Sequence, residues 1–194
     1  MFNGNRIATC LVTLLFCQQL TGQDGVRIQK SNDRAVIEWR ARIPAIQKML
    51  EDANEDSCRG APAPEIVEAF RSTSDGLSVA LVDYCSAGAY TDALFPMILA
   101  HGTPVSARLR GADGKKIPNE FVMGASAMRS RSLKLAANEK AIYDCFTEND
   151  GQGKTSVCGV KAYVWNAKSR TFDLNTRLSK SASAEYCRSV GKGE

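Results

Sequence analysis

The chain of 194 residues has one histidine, His101, and no two cysteines at C-x2-C spacing. That excludes the ligand sets a structural zinc site uses, so no metal is expected. It has no G-x-x-x-x-G-K-[ST] loop and no G-x-G-x-x-G turn. Nucleotide phosphates therefore have no backbone cradle, and no cofactor is expected. Aromatic residues make up only 7% of the chain. That offers few stacking platforms, and nucleic acid is not an expected partner. Apolar runs are short. The one from Ile7 to Cys17 has eleven residues, too few to span a bilayer. No transmembrane segment is expected in the mature chain.

What is present begins with that run. Met1 to Arg6 is polar with one positive charge, and Gln18 to Gln23 is polar again. A charged start, a short apolar middle and a polar end make the order of a secretory signal peptide. The expectation is a signal peptide over residues 1–23, removed between Cys17 and Asp24, and a periplasmic or secreted product. A lipoprotein leader ending at Cys17 is a second reading, but Phe16 stands where a small residue is needed. A buried helix is the third. Residues 24–194 then form a single globular α+β domain. The 44% hydrophobic and 24% charged content is that of a folded protein.

Of seven cysteines, Cys10 and Cys17 lie in the leader, which leaves Cys58, Cys85, Cys145, Cys158 and Cys187. Export favours disulfides, and an odd count leaves one thiol over. The pairs Cys58–Cys85 and Cys158–Cys187 each join elements adjacent in sequence, with Cys145 left as the thiol. The rival is Cys145–Cys158 across a hairpin.

Charge is uneven. Asp24 to Thr103 carries 8 basic and 12 acidic residues, whereas Pro104 to Glu194 carries 16 basic and 9 acidic. A solvated surface accounts for this blandly. A basic face for an acidic partner accounts for it more sharply.

Helical spacing of Val36, Trp39, Ile43, Ile46, Met49, Leu50 and Ala53 predicts a helical segment from Asp33 to Asn54, divided or kinked at Pro44. Gly60 to Pro64 stops it. Short strands and turns follow: Glu65–Arg71, Leu77–Cys85 and Leu94–Ala100. Next come two strands, Pro104–Gly111 and Lys116–Met123, flanking Asp113-Gly114. Ser132–Ala136 and Lys140–Phe146 flank Asn138-Glu139. The turn Asn149 to Gly153 leads into Val157–Trp165, and Thr171–Asn175 comes after it. Ser181 to Val190 reads as a short closing helix capped by Ser181. The fold class is α+β: an N-terminal helical segment, an antiparallel β meander and a short C-terminal helix.

Two elements carry a resemblance. Cys85-Ser-Ala-Gly-Ala-Tyr90 ends an apolar strand, and Cys158-Gly159 precedes Val164-Trp165 and Phe172-Asp-Leu174. The stretch from about Thr73 to Asn175 resembles a family of exported bacterial proteins defined by a domain of unknown function. That family has a C-x-x-G-A-Y element and a C-G…W-x-W…F-x-L hairpin. Tyr163-Val-Trp165 stands where paired tryptophans are common, so the match departs there. The resemblance implies a periplasmic or surface location and a β-rich fold. It brings no activity and no catalytic residues.

Candidate chemistry is sparse, and no catalytic residue is assigned. His101 sits in a turn-like His101-Gly-Thr-Pro104, and Gly124-Ala-Ser126-Ala-Met128 misses the nucleophile-elbow pattern at its last position. Cys145 follows Asp144, whose charge opposes thiolate formation. Asp144, Glu148 and Asp150 could serve as paired carboxylates, but the run Glu148 to Lys154 lacks calcium-loop ligand order. Cys85 to Tyr90 reads as a structural corner or a ligand-contact loop. Arg129 and Arg131 share one face of a strand; exposed together they would bind an anion. The expectation is an exported periplasmic, non-enzymatic binding or inhibitor-like protein. Its binding residues would be Arg129, Arg131 and Tyr90, and its partner an acidic envelope protein or cell-wall polymer. A carboxylate-based hydrolase and a structural envelope protein are the two alternatives.

Overall fold

The computed structural model describes residues 33–53, 62–84, 91–118, 121–124, 129–150 and 155–190. These form three helices and eleven strands. The helices are α1 (Asp33–Arg40), α2 (Ile43–Ala53) and α3 (Thr176–Val190). The strands are β1 (Glu65–Arg71), β2 (Ser78–Asp83), β3 (Thr91–Ala100), β4 (Thr103–Ser106), β5 (Leu109–Arg110), β6 (Lys116–Ile117), β7 (Phe121–Gly124), β8 (Arg129–Ala136), β9 (Ala141–Asn149), β10 (Thr155–Asn166) and β11 (Thr171–Leu174). The class is α+β, as the sequence predicts. Among the described residues no helix is long and apolar enough to cross a membrane.

The first sheet has the order β1-β2-β3-β4, with β7 also paired to β3. The second has the order β6-β5-β11-β10-β9-β8. Every pair is antiparallel except β5 with β11, which is parallel. Four layers result. Trp39, Ile46 and Leu50 of the helix pair pack on Ile66, Ala80, Val82, Phe95 and Met97 of the first sheet. The other face of that sheet, with Phe70, Val79, Leu81 and Ile98, meets Leu109, Leu133, Leu135, Ile142, Tyr163 and Phe172 of the second. Ala182 and Tyr186 of α3 cover Tyr143, Cys145, Val160 and Ala162 on its outer face.

This layering explains the local sequence. Strand β2 is buried on both faces, so Val79 to Val82 reads as a continuous apolar run rather than an alternation. Trp39 is fully buried, and its indole N–H donates to Ser78 Oγ at 3.0 Å. Pro44 enters α2 at its second residue, where the first turn has no use for the missing N–H. In β1 a bulge between Ile66 and Glu68 resets the parity. Ile66 and Ala69 therefore face the helices while Phe70 faces the second sheet, which breaks the two-residue alternation of a regular strand.

Two expected elements differ. The strands around Asp113-Gly114 pair as a hairpin only at Leu109–Arg110 with Lys116–Ile117. Their outer parts, β4 and β7, belong to the first sheet. The chain crosses between sheets after Ser106 and again at Pro118, a residue that cannot donate to a ladder. The closing helix starts at Thr176 rather than Ser181. Asn175 caps it, its Oδ1 accepting from the Leu178 N–H at 2.9 Å. Ser181 lies inside the helix, its hydroxyl donating to Leu178 O.

Candidate functional site

The inner face of the second sheet is apolar at one end and charged at the other. Register sets the charged end. Arg131 of β8 stands opposite Phe146 of β9, which stands opposite Gly159 of β10. One row along, Leu133, Asp144 and Lys161 align in the same way. With a side-chain period of two, these residues share a face with Tyr163.

Asp144 is only 1% exposed. Arg131 satisfies both its oxygens: Nε donates to Oδ1 at 2.7 Å and Nη2 to Oδ2 at 2.9 Å. The guanidinium carbon lies 4.9 Å from the ring centroid of Phe121, which comes from the first sheet. The Arg131 side chain nonetheless keeps 36% of its exposure. Its hydrogen bonds to Asp144 raise its pKa above the ordinary guanidinium value. Tyr163 has its hydroxyl pushed up to about 12 by burial first and by the Asp144 charge second.

Lys161 is exposed and sets its ammonium 5.6 Å from the ring centroid of Phe146. Gly159 makes room for that ring: a Cβ there would lie 2.8 Å from Phe146 Cζ. Two cations, each on a phenylalanine face, therefore stand at one end of the sandwich. From strand spacing their backbones are about 12 Å apart. Among the described residues none of the ion pairs involves Lys161.

Chemically, Asp144 is an occupied acceptor, not an exposed acid or nucleophile. Glu148 lies four residues along the same strand face and Asp150 just past the strand end. Among the described residues no group of three His, Cys, Asp or Glu side chains could hold a metal ion. The arrangement can receive anionic groups through Lys161 and through the outer N–H groups of Arg131.

Of the residues singled out in the sequence, Arg131 lies in this site but is already engaged. Arg129 begins β8 opposite Glu148; its side chain lies outside the described residues, as do Tyr90, Ser126, Cys58 and Cys85. His101 occupies a β3–β4 turn with φ 52°. Cys158 and Cys187 form the expected disulfide, with Cα atoms 5.7 Å apart. Cys145 is a buried thiol. Lys161, Phe146, Phe121 and Tyr163 were not legible as site residues. Only the register of β9 with β10 brings Lys161 beside Asp144.

Comparisons with protein families, with curated proteins and with solved structures find no match.

Proposed function

We propose that the protein is an exported, non-enzymatic binding module whose basic face takes an acidic partner in the cell envelope. One observation carries this reading: Lys161 and Arg131 stand on one sheet face, and among the described residues the only ion pair of either is that of Arg131 with Asp144. Rigid stacking on Phe146 and Phe121 lowers the entropy lost when such cations engage an anion. The disulfide Cys158–Cys187 suits an oxidising compartment. The layering adds support, because the acidic half of the sequence builds the helix pair and most of the first sheet, and the basic half builds the second sheet and α3. An envelope protein or a cell-wall polymer with regularly spaced carboxylates or phosphates fits this face.

The test is capture from envelope extract by immobilised mature protein at low and at high salt. Wild type should retain a partner at low salt and release it at high salt, where screening shortens to a few ångströms. Lys161→Glu should lose that partner. Capture that is indifferent to both salt and Lys161, or no capture at all, would favour a structural envelope role.

A further inference from the structure

We propose that α3 is a redox-fastened cover over an open edge of β10, and that its release lets that edge pair with a second copy of the chain.

Strand β11 pairs only with Tyr163 to Asn166 of β10. On the same side, Thr155 to Ala162 has no neighbouring strand among the described residues. In an antiparallel strand alternate residues present their N–H and C=O to that side. Helix α3 meets them one after another. Asn175 N donates to Ala162 O at 2.8 Å, and Ala162 N donates to Ser179 Oγ at 2.9 Å. Val160 N donates to Ser183 Oγ at 2.8 Å, and the same hydroxyl donates to Val160 O at 3.1 Å. Cys187 then bonds Cys158. The spacing is commensurate. Four helical residues rise about 6.0 Å and two strand residues about 6.6 Å. Residues 179, 183 and 187 therefore fall in step with 162, 160 and 158. The helix does the work of a missing edge strand, with serine hydroxyls in place of a ladder.

That cover is asymmetric. Its start is held by the chain connection from β11, and its far end by the one covalent bond. Val157, next to that bond, is 47% exposed. Beneath the helix lies Cys145, 1% exposed and packed in the same cluster as Ala182 and Tyr186. A dithiol reductant can open the fastening. It supplies two electrons and two protons, the Cys158–Cys187 bond breaks to two thiols, and the dithiol closes to its own disulfide. The bridge spans 29 residues, and losing its loop-closure contribution raises the open population roughly a hundredfold. The uncovered edge is a template for strand addition. Antiparallel pairing of two copies centred on Gly159 sets Val157 against the partner's Lys161. It places no like charges opposite one another and closes as a two-fold dimer.

The experiment uses the full mature chain, oxidised and treated with dithiothreitol, beside Cys187→Ser. Three readouts are taken: alkylation of Cys145 by peptide mass, molar mass by light scattering, and hydrogen exchange at Val79 to Val82. Reduction, or the substitution, should speed Cys145 alkylation roughly a hundredfold and shift the mass toward a dimer, while the Val79–Val82 amides stay protected. Ser179→Ala with Ser183→Ala should add to the effect in reduced protein. Unchanged Cys145 alkylation on reduction overturns the cover. Faster alkylation with a monomeric mass overturns the pairing. Loss of protection at Val79 to Val82 overturns both, because the change is then general unfolding.

Discussion

Asp144 stands between two sheets at 1% exposure, and one guanidinium satisfies both its oxygens. Removing either partner leaves the other charge stranded in a poorly solvated site. Arg131→Ala is therefore expected to destabilise the fold by about 3 kcal/mol in urea denaturation, the size seen for a broken buried pair. A loss below about 0.5 kcal/mol would mean that the pair is solvent-screened. The substitution is thus a poor probe of binding. Lys161→Ala removes a cation without stranding a charge, and its expected effect on stability is below about 1 kcal/mol. Gly159 illustrates the same economy of space. A methyl group there meets the Phe146 ring at 2.8 Å, so Gly159→Ala should push the ring away and destabilise by about 1–3 kcal/mol, as overpacking does. Equal denaturation midpoints for Gly159→Ala and wild type would show that the ring gives way freely.

Two hairpins, β1–β2 and β8–β9, are fastened across the sandwich by carboxylates of the first. Glu68 accepts from Leu135 N at 2.9 Å on the edge strand β8, which blunts that edge. At the hairpin tips Lys140 Nζ lies 2.7 Å from Asp75 Oδ2. The two contacts respond to pH in opposite senses. Burial raises the Glu68 pKa above its ordinary 4.5, with the Leu135 N–H and Lys134 opposing. The fold then holds that proton more tightly than the open chain, so this contribution is full below about 4.5 and is lost as pH rises through the raised value. Hydrogen bonds from Lys140 and Ser72 lower the Asp75 pKa from 3.8 to about 2. Its contribution is present above 3.8 and is lost as pH falls toward about 2. Relative to wild type, Glu68→Gln should gain stability as pH rises from about 4 to about 7, and Asp75→Asn should recover relative stability below about 3. Thermal midpoints across pH check both; parallel curves for all three proteins would contradict the assignment. Neither fastening was legible in the sequence, because each joins residues more than sixty positions apart. What was legible was mostly local. Helical spacing around Trp39 and the β8–β9 hairpin about Asn138-Glu139 rest on neighbours in the chain, and the pairing of Cys158 with Cys187 spans 29 residues. The elements that departed from expectation did so for tertiary reasons. A bulge at Glu68 reset the parity of β1. Crossings at Ser106 and Pro118 divided an apparent hairpin between two sheets. Asn175 capped a helix whose start precedes its serine-rich face. The candidate site was half legible: Arg131 could be placed on a strand face, but its partner Asp144 and its neighbour Lys161 depend on strand register.

At the scale of the molecule, a charge gradient along the chain becomes a gradient across layers. Among the described residues, the acidic segment up to Thr103 forms the helix pair and most of the first sheet, and the basic segment from Pro104 forms the second sheet and α3. The cations at the charged end of the sandwich belong to that second layer and sit on aromatic rings, which restricts their motion. Binding through such a face depends on salt and on a few side chains, and hardly on the stability of the fold. The most direct measurement is a titration of the protein with a labelled oligoglutamate peptide, followed by fluorescence anisotropy at two salt concentrations. Wild type is compared with Arg129→Ala combined with Lys161→Ala, and thermal midpoints are recorded alongside. Saturable binding is expected at low salt and weaker binding at high salt. The double variant should lose about 1–3 kcal/mol, with a nearly unchanged midpoint. Equal dissociation constants for the two proteins, or binding that ignores salt, would contradict it.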